Sequence, residues 1–507
     1  MLERKTRNGL AVFAGASALL ALLPGCNVGP KYHPPAPPVI KATNYKESTV
    51  NFQDVQGWKV ARPEDAMIRG NWWEIFHEPE LNVLEGQLNA NNQNIKISFE
   101  TYMAARAIVQ EARSQYWPTI TAVPTWRRTR SSANQTFSTA ATTGKTAALW
   151  NAPLDVAWTP DFWGTIRNTV RQAEYTAQAN AADLALEKLV EQASLAEFFF
   201  EIRGQDMLQK ILDDTVTADQ KSLDYAQAQY TTGIGDYISV AEAQTTLSSA
   251  QAAARAVGLL RAQYEHAIAM LTGQIATDFS IPVRPLIYTP PAIPIGVPSQ
   301  LLERRPDVAS TERTLAAANA TIGIGYGAFF PDVTISASAG VEAAIFKDLF
   351  GMPSRTWAIG PSVSQVIFDG GLYIAQLHQY EAIYNGDLAN YRQTVLTAFQ
   401  QVEDSLAATR VYSQEILREK EAVQAAEDYL NIEMERYNTG VDPYVDVMIA
   451  QNTLLAAQAT LNADQVSQMV STVQLVQALG GGWDITQLPT AKQTAAKTAK
   501  VDYQMQK

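Results

Sequence analysis

Cysteine is almost missing from this sequence: Cys26 is the one thiol in 507 residues, so no internal disulfide can form and no cysteine-based metal site can assemble. Histidine is nearly as scarce. His33, His77, His266 and His378 are scattered without metal-ligand spacing and read as surface or packing residues. Basic charge is short as well, and a net charge of −12 argues against a nucleic-acid partner, which demands clustered Lys and Arg. Beyond the N-terminus no apolar run approaches the roughly 20 residues of a spanning helix. A hydrophobic content of 47% with 18% charged residues fits neither a disordered chain nor a conventional helical membrane protein. No catalytic constellation is present, and the chain does not read as an enzyme.

Proline is unevenly absent, and that is informative. None occurs from Asp161 to Ile281, from Ser362 to Asp442, or from Tyr444 to Leu488. Since proline costs about 3 kcal/mol inside a helix, those tracts can hold long helices. Ile166, Val170, Ala173, Ala177, Ala181 and Leu184 recur at steps of three and four, as do Leu388, Tyr391, Val395, Phe399, Val402 and Leu406. That is the seam of a packed helix or coiled coil.

Proline-containing stretches alternate instead. Trp150, Ala152, Leu154, Val156 and Trp158 share one face, as do Val333 to Val341 at every second residue, and Trp357, Ile359, Pro361 and Val363. Ile120 to Trp126 gives a weaker fourth strand. Apolar on one face, small and polar on the other, with tryptophans near the ends, these predict an outer-membrane barrel. A small soluble sandwich is the alternative. Four strands cannot close a barrel or cover their edges, so copies of the chain must pool them.

Two turns mark an internal repeat. Tyr230-Thr231-Thr232-Gly233 with Tyr237 returns as Tyr437-Asn438-Thr439-Gly440 with Tyr444, at an offset of 207. Gly233 and Gly440 suit a left-handed helix end, and Pro443 suits the first turn of the next helix. Asp442 stands beside that helix start, and Asp446 lies one turn on, on the same face. Copies of these acids around an axis would form a narrow ring that attracts cations, with carboxyl pKa values raised by like charge. Gly323-Ile324-Gly325-Tyr326-Gly327 precedes a strand rather than following one, so it is read as close packing, not a nucleotide loop.

The N-terminus is a targeting segment: Arg4, Lys5 and Arg7, then an apolar core from Leu10 to Leu23. Leu23-Pro24-Gly25-Cys26 resembles a bacterial lipobox, implying residues 1–25 as a signal peptide and a covalent lipid on Cys26; an ordinary secretory signal is the alternative. Taken with Trp72-Trp73, Asp161-Phe162-Trp163-Gly164, Arg304-Arg305-Pro306-Asp307-Val308, Phe368-Asp369-Gly370-Gly371 and Ala478-Leu479-Gly480-Gly481-Gly482-Trp483, the chain resembles the TolC-type outer-membrane factors, in their multidrug-efflux lipoprotein branch. The resemblance implies an α+β membrane protein. A homotrimer would form one 12-stranded outer-membrane β-barrel, four strands per subunit, continued by a long periplasmic α-helical barrel. The expected division is an extended leader at 26–80, repeat 1 at 81–303 with strands at about 118–160, repeat 2 at 304–483 with strands at about 331–368, and a tail at 484–507. The turns 230–237 and 437–444 would form the closed tip.

The implied function is the exit duct of a tripartite efflux or secretion pump, lipid-anchored in the cell outer membrane. Its partners would be a periplasmic adaptor, an inner-membrane transporter of the resistance-nodulation-division type, and outer-membrane lipid, with no cofactor beyond the lipid on Cys26. By the family pattern Asp446 matches a constriction aspartate, Ile449 replaces a second one, and Val441 and Val445 match an apolar constriction. The alternative is a structural envelope lipoprotein that conducts nothing.

Overall fold

The computed structural model describes residues 27–36, 45–48, 70–132, 134, 144–285, 289–291, 293 and 301–496. Cys26 and the rest of the targeting segment lie outside these. Seven long helices carry the body: α1 (Pro79–Asn91), α2 (Gln93–Ser114), α3 (Thr165–Thr231), α4 (Tyr237–Leu271), α5 (Pro306–Gly327), α6 (Leu372–Asn438) and α7 (Tyr444–Ala478). The repeat is metrically regular. Helices α3 and α6 are both 67 residues long, and α4 and α7 are both 35. At 1.5 Å per residue the two longest helices reach about 100 Å.

No helix of that length is stable alone, so its apolar face must be covered. Helix α3 packs against α4, α5, α2 and α7, while α6 packs against α7 and α5. The main core gathers Trp72, Leu195, Phe199, Phe200, Ile202, Val395, Val402, Leu406 and Val473 at mid-height. Above it lies an alanine-rich cluster, Ala105, Ala112, Val170, Ala173 and Ala177, where small side chains let helices approach closely. The 323–327 glycines belong to this packing: a Cβ on Gly323 would meet the Asn168 side chain of α3 at 2.4 Å. Among the described residues no helix is long and apolar enough to cross a membrane.

The strands form one antiparallel sheet: β1 (Thr119–Ala122) and β2 (Thr125–Arg130), then β3 (Thr146–Trp158), β4 (Asp332–Ala343) and β5 (Arg355–Ser364). β1 and β2 both pair with β3, so they are one strand interrupted at Val123-Pro124. The first hairpin is longer than the alternation suggested, since pairing runs out to Arg130 and Thr146. Directly paired residues share a face. The register puts Ile120, Val156, Ala337 and Ile359 in one row, and Ala122, Leu154, Ala339 and Trp357 in the next. The opposite face carries Thr121, Asp155 and Ser338, with Asn151 opposite Glu342.

Aromatic residues bound the apolar face at both ends. Trp126, Trp150 and Phe346 cluster on the loop side, and Trp163 stacks on Phe330 at 4.8 Å on the helix side. Trp150 and Trp158 are eight residues apart on β3, a rise of about 26 Å. The sheet stays open: β1/β2 and β5 are its edges, and every residue of these edge strands is exposed.

The leader departs from the expectation of a purely extended segment. Residues 31–36 carry no regular secondary structure, but Lys46–Ser48 and Trp72–Phe76 form 3-10 turns, and Tyr45, Trp72 and Trp73 are buried. Aromatic burial outweighs the extended preference of the prolines. Glu403 accepts from the backbone N–H groups of Lys46 and Glu47, and Arg410 pairs with Glu47 at 2.7 Å. The leader therefore straps α6, and the first long helix starts at Pro79, inside the range assigned to the leader.

Candidate functional site

Both long helices end in the same way. Gly233 and Gly440 take φ of +77° and +75°, a conformation that costs a residue with a Cβ about 1 kcal/mol or more. Ile234 N–H donates to the Gln229 carbonyl while Gly233 N–H donates to Tyr230; Val441 and Gly440 do the same to Arg436 and Tyr437. These paired bonds close the orphan carbonyls of each helix end. The reversals are equivalent, and their surroundings are not.

In the second turn the tyrosines point into the protein. Tyr437 and Tyr444 are 7% and 1% exposed, whereas Tyr230 and Tyr237 are 44% and 64% exposed. The Tyr437 hydroxyl donates to Gln229 at 3.0 Å, which ties the end of α6 to the end of α3. Tyr437 also contacts the rings of Tyr444, at 5.3 Å, and Tyr225, at 5.7 Å. A small core of Ala226, Val240, Ala243, Tyr437, Tyr444 and Val447 results, joining the two helical hairpins at their far end.

The acids are arranged differently from the expectation. Helix α7 begins at Tyr444, with Pro443 as its cap rather than in its first turn. Asp442 does not face the helix start. Its carboxylate takes a two-pronged contact from the Arg436 guanidinium, with Nη2 at 3.0 Å and a shorter one from Nε. Within the protomer that bond holds the Asp442 carboxyl below the usual range, against the upward push of burial. Asp446 is on the same side, and its carboxylate, that of Asp442 and that of Glu433 lie within 4.8 Å of one another. Glu433 is the acid pushed up, by partial burial first and by Asp442 next. These three could offer oxygens to a cation, but Arg436 already supplies a counter-charge there.

Sequence reasoning missed Glu433 and Arg436. Their signal was local: an acid and a base one turn apart at the end of α6, within reach of residues just past the reversal. It also missed Asp219, a buried aspartate of α3 whose two carboxylate oxygens have no hydrogen-bond partner. Burial pushes it up to about 6. Val441 and Val445 are exposed, and with Ile449 they form an apolar stripe at four-residue spacing. In the first turn, Asp236 caps α4 by accepting from Ser239 N–H and Oγ, both at 2.9 Å, so its charge serves the helix end.

At the other end of α3, Asn27 and Val28 are fixed where strand meets helix. Val28 N–H donates to the Trp163 carbonyl at 3.2 Å, and Asn168 donates to the Asn27 side chain at 3.0 Å.

Comparison with known proteins agrees with this architecture. The chain matches the family described as "Outer membrane efflux protein" over residues 84–274 and 297–481. It is 30% identical to the probable efflux pump outer membrane protein TtgC of Pseudomonas putida, covering 91% of this chain and 94% of that one. It is 28% identical to outer membrane protein OprJ of Pseudomonas aeruginosa, covering 93% and 96%. Among solved structures, the outer-membrane channel OprN superposes with a TM-score of 0.81 at 25% identity, covering 90% and 100%. The CmeC outer membrane channel of Campylobacter jejuni gives 0.83 at 21% identity, covering 92% and 97%, a likeness of fold.

Proposed function

The chain belongs to the outer membrane efflux protein family, and from that premise we propose how its geometry carries out export. It is an outer-membrane exit duct of an efflux pump, built as a trimeric channel. The observation that carries this reading is the open sheet. Its apolar face is about 26 Å tall between aromatic ends, its other face is polar, and both edges lack a strand partner. Three copies contribute four strands each, counting β1/β2 as one, and the closed barrel leaves no edge. Cargo passes along the polar face and through the helical barrel below it.

The tip turns form the periplasmic gate. The exposed stripe of Val441, Val445 and Ile449 has no cover within the protomer and is placed to meet its copies as an apolar constriction. Asp446 adds a carboxylate ring beside it, while Asp442 is held by Arg436 as a latch rather than as a free charge. Single-channel recording of the Asp446→Ala trimer in lipid bilayers tests the ring. Reduced cation preference is expected; unchanged conductance and selectivity would remove Asp446 from the gate.

Cys26 carries the lipid anchor. Asn27 is pinned at the level where β3 passes into α3, so an acyl chain on the preceding residue reaches the inner surface of the same bilayer that the barrel crosses. Loss of metabolically incorporated palmitate in Cys26→Ser checks this. A periplasmic adaptor and an inner-membrane transporter of the resistance-nodulation-division type complete the pump. Site-directed photocrosslinking from exposed Tyr230 and Tyr237 is expected to capture the adaptor.

A further inference from the structure

The loop end of the barrel carries a charge pattern opposite to that of the whole chain. Between Thr125 and Trp150 there are four cationic residues, Arg127, Arg128, Arg130 and Lys145, and no Asp or Glu, in a chain of net charge −12. The pairing register sorts them by face. Trp126 pairs with Trp150, Arg128 with Ala148 and Arg130 with Thr146, so both of these arginines stand on the apolar, outward face. Arg127 stands on the polar face. On the other edge strand Arg355 pairs with Val341 and Trp357 with Ala339, so Arg355 is outward too.

Arg128 follows Trp126 by one same-face step toward the loops, and Arg355 precedes Trp357 by one, each about 7 Å along the strand. The three strand acids, Asp155, Asp332 and Glu342, are all on the polar face. None of Arg128, Arg130 and Arg355 has an ion-pair partner among the described residues, and all three are exposed. The loop of residues 131–145 contains no acid to reach back to them.

Closing the trimer brings these charges together. β2 lies at one free edge of the protomer sheet and β5 at the other, so each seam of the barrel sets Arg355 of one copy on the same outward face as Arg128 and Arg130 of the next. Three guanidinium groups then stand just beyond a tryptophan band, facing lipid rather than the pore, with no strand carboxylate on that face among the described residues; the one acid of the adjoining 344–354 loop is Asp348. We propose that each seam binds the phosphate group of an anionic lipid of the outer leaflet, with the tryptophans against its acyl chains. Guanidinium forks match phosphate oxygens two at a time, and the arginine stems follow the apolar surface up to the headgroup level. The lipid thereby bridges two copies and reinforces the trimer where the sheet has its newest pairing.

The test uses the full-length trimer in nanodiscs of phosphatidylcholine, of phosphatidylcholine with phosphatidic acid, and of phosphatidylcholine with inorganic phosphate in the buffer. Trimer dissociation on heating is followed by electrophoresis, and retained lipid by native mass spectrometry. Phosphatidic acid is expected to raise the dissociation temperature of the native trimer, and to lose that effect as salt rises. Replacing all three arginines with Gln is expected to weaken retention about tenfold or more. Arg127→Gln retains the effect, and Arg355→Lys, which keeps the charge and loses the fork, retains only part of it. An equal rise with inorganic phosphate alone, an unchanged effect in the triple variant, or equal loss in Arg127→Gln would overturn the proposal. Should the triple variant not trimerise, Arg355→Gln alone and the salt titration of the native trimer decide.

Discussion

The two tip turns share a backbone and differ in what lies around it. Gly233 and Gly440 take the same left-handed conformation and close the same hydrogen bonds, yet Tyr437 and Tyr444 are buried where Tyr230 and Tyr237 are exposed. A single chain is the cause. The second turn packs against the first hairpin of its own protomer through Gln229 and the small core at the tip. The first turn finds no such neighbour within the protomer, and its tyrosines stay exposed. Duplication supplied the reversal twice; position within the chain decided which copy became core.

The largest test of that asymmetry compares Tyr444→Ala with Tyr237→Ala. Removing the buried ring should destabilise the tip by about 3–5 kcal/mol, and removing the exposed one by less than about 0.5 kcal/mol in the isolated protomer. Hydrogen exchange of the α6–α7 and α3–α4 turns reads both. A protomer in which the two variants behave alike would break the comparison.

Next in size is Asp219, which sits on the α3 side of this junction. Its folded pKa of about 6 lies above the value near 4 of an unfolded aspartate. Its favourable contribution is therefore complete below about pH 4 and is lost as pH rises through about 6. Asp219→Asn should stabilise the tip at pH 7 by on the order of 2 kcal/mol and do nothing at pH 4. Denaturant titrations at both values check the sign.

Gly233→Ala and Gly440→Ala probe what the turns share. Each should cost about 1 kcal/mol, because a Cβ at positive φ is strained although space is open around both. Unequal costs would mean that the surroundings, not the reversal, set the backbone. Arg436→Gln should hardly change stability, because the pair it breaks is exposed and screened by water. Its effect on conduction should be plainer, since Asp442 is released: higher cation preference in single-channel recording. The equivalent position in the first turn is Gln229, and Gln229→Ala should instead loosen the tip by orphaning the Tyr437 hydroxyl.

Much of this was readable without coordinates. The 207-residue offset foretold a duplicated architecture, found as two helices of 67 residues and two of 35, because helix ends are written locally in glycine, proline and seam spacing. The faces of the strands were equally plain, since a period of two needs no partner to be recognised. The site was less legible. Asp442 and Asp446 stood out as acids near a reversal, while the local signal of Glu433 and Arg436 one turn back was passed over, and only the closed turn shows that Arg436 takes one acid and that Glu433 joins the group.

What the sequence determined by itself is periodic and local: where helices run, where they turn, which strand face is apolar, and that four strands leave open edges. Tertiary structure alone decided the burial of Tyr444, the isolation of Asp219, the ion pair that lowers Asp442 and the folding of the leader onto α6. Periodicity is a property of one segment. A side chain's partner, its burial and its charge state depend on which other segments packing brings beside it, and near-identical turns therefore acquired different physics.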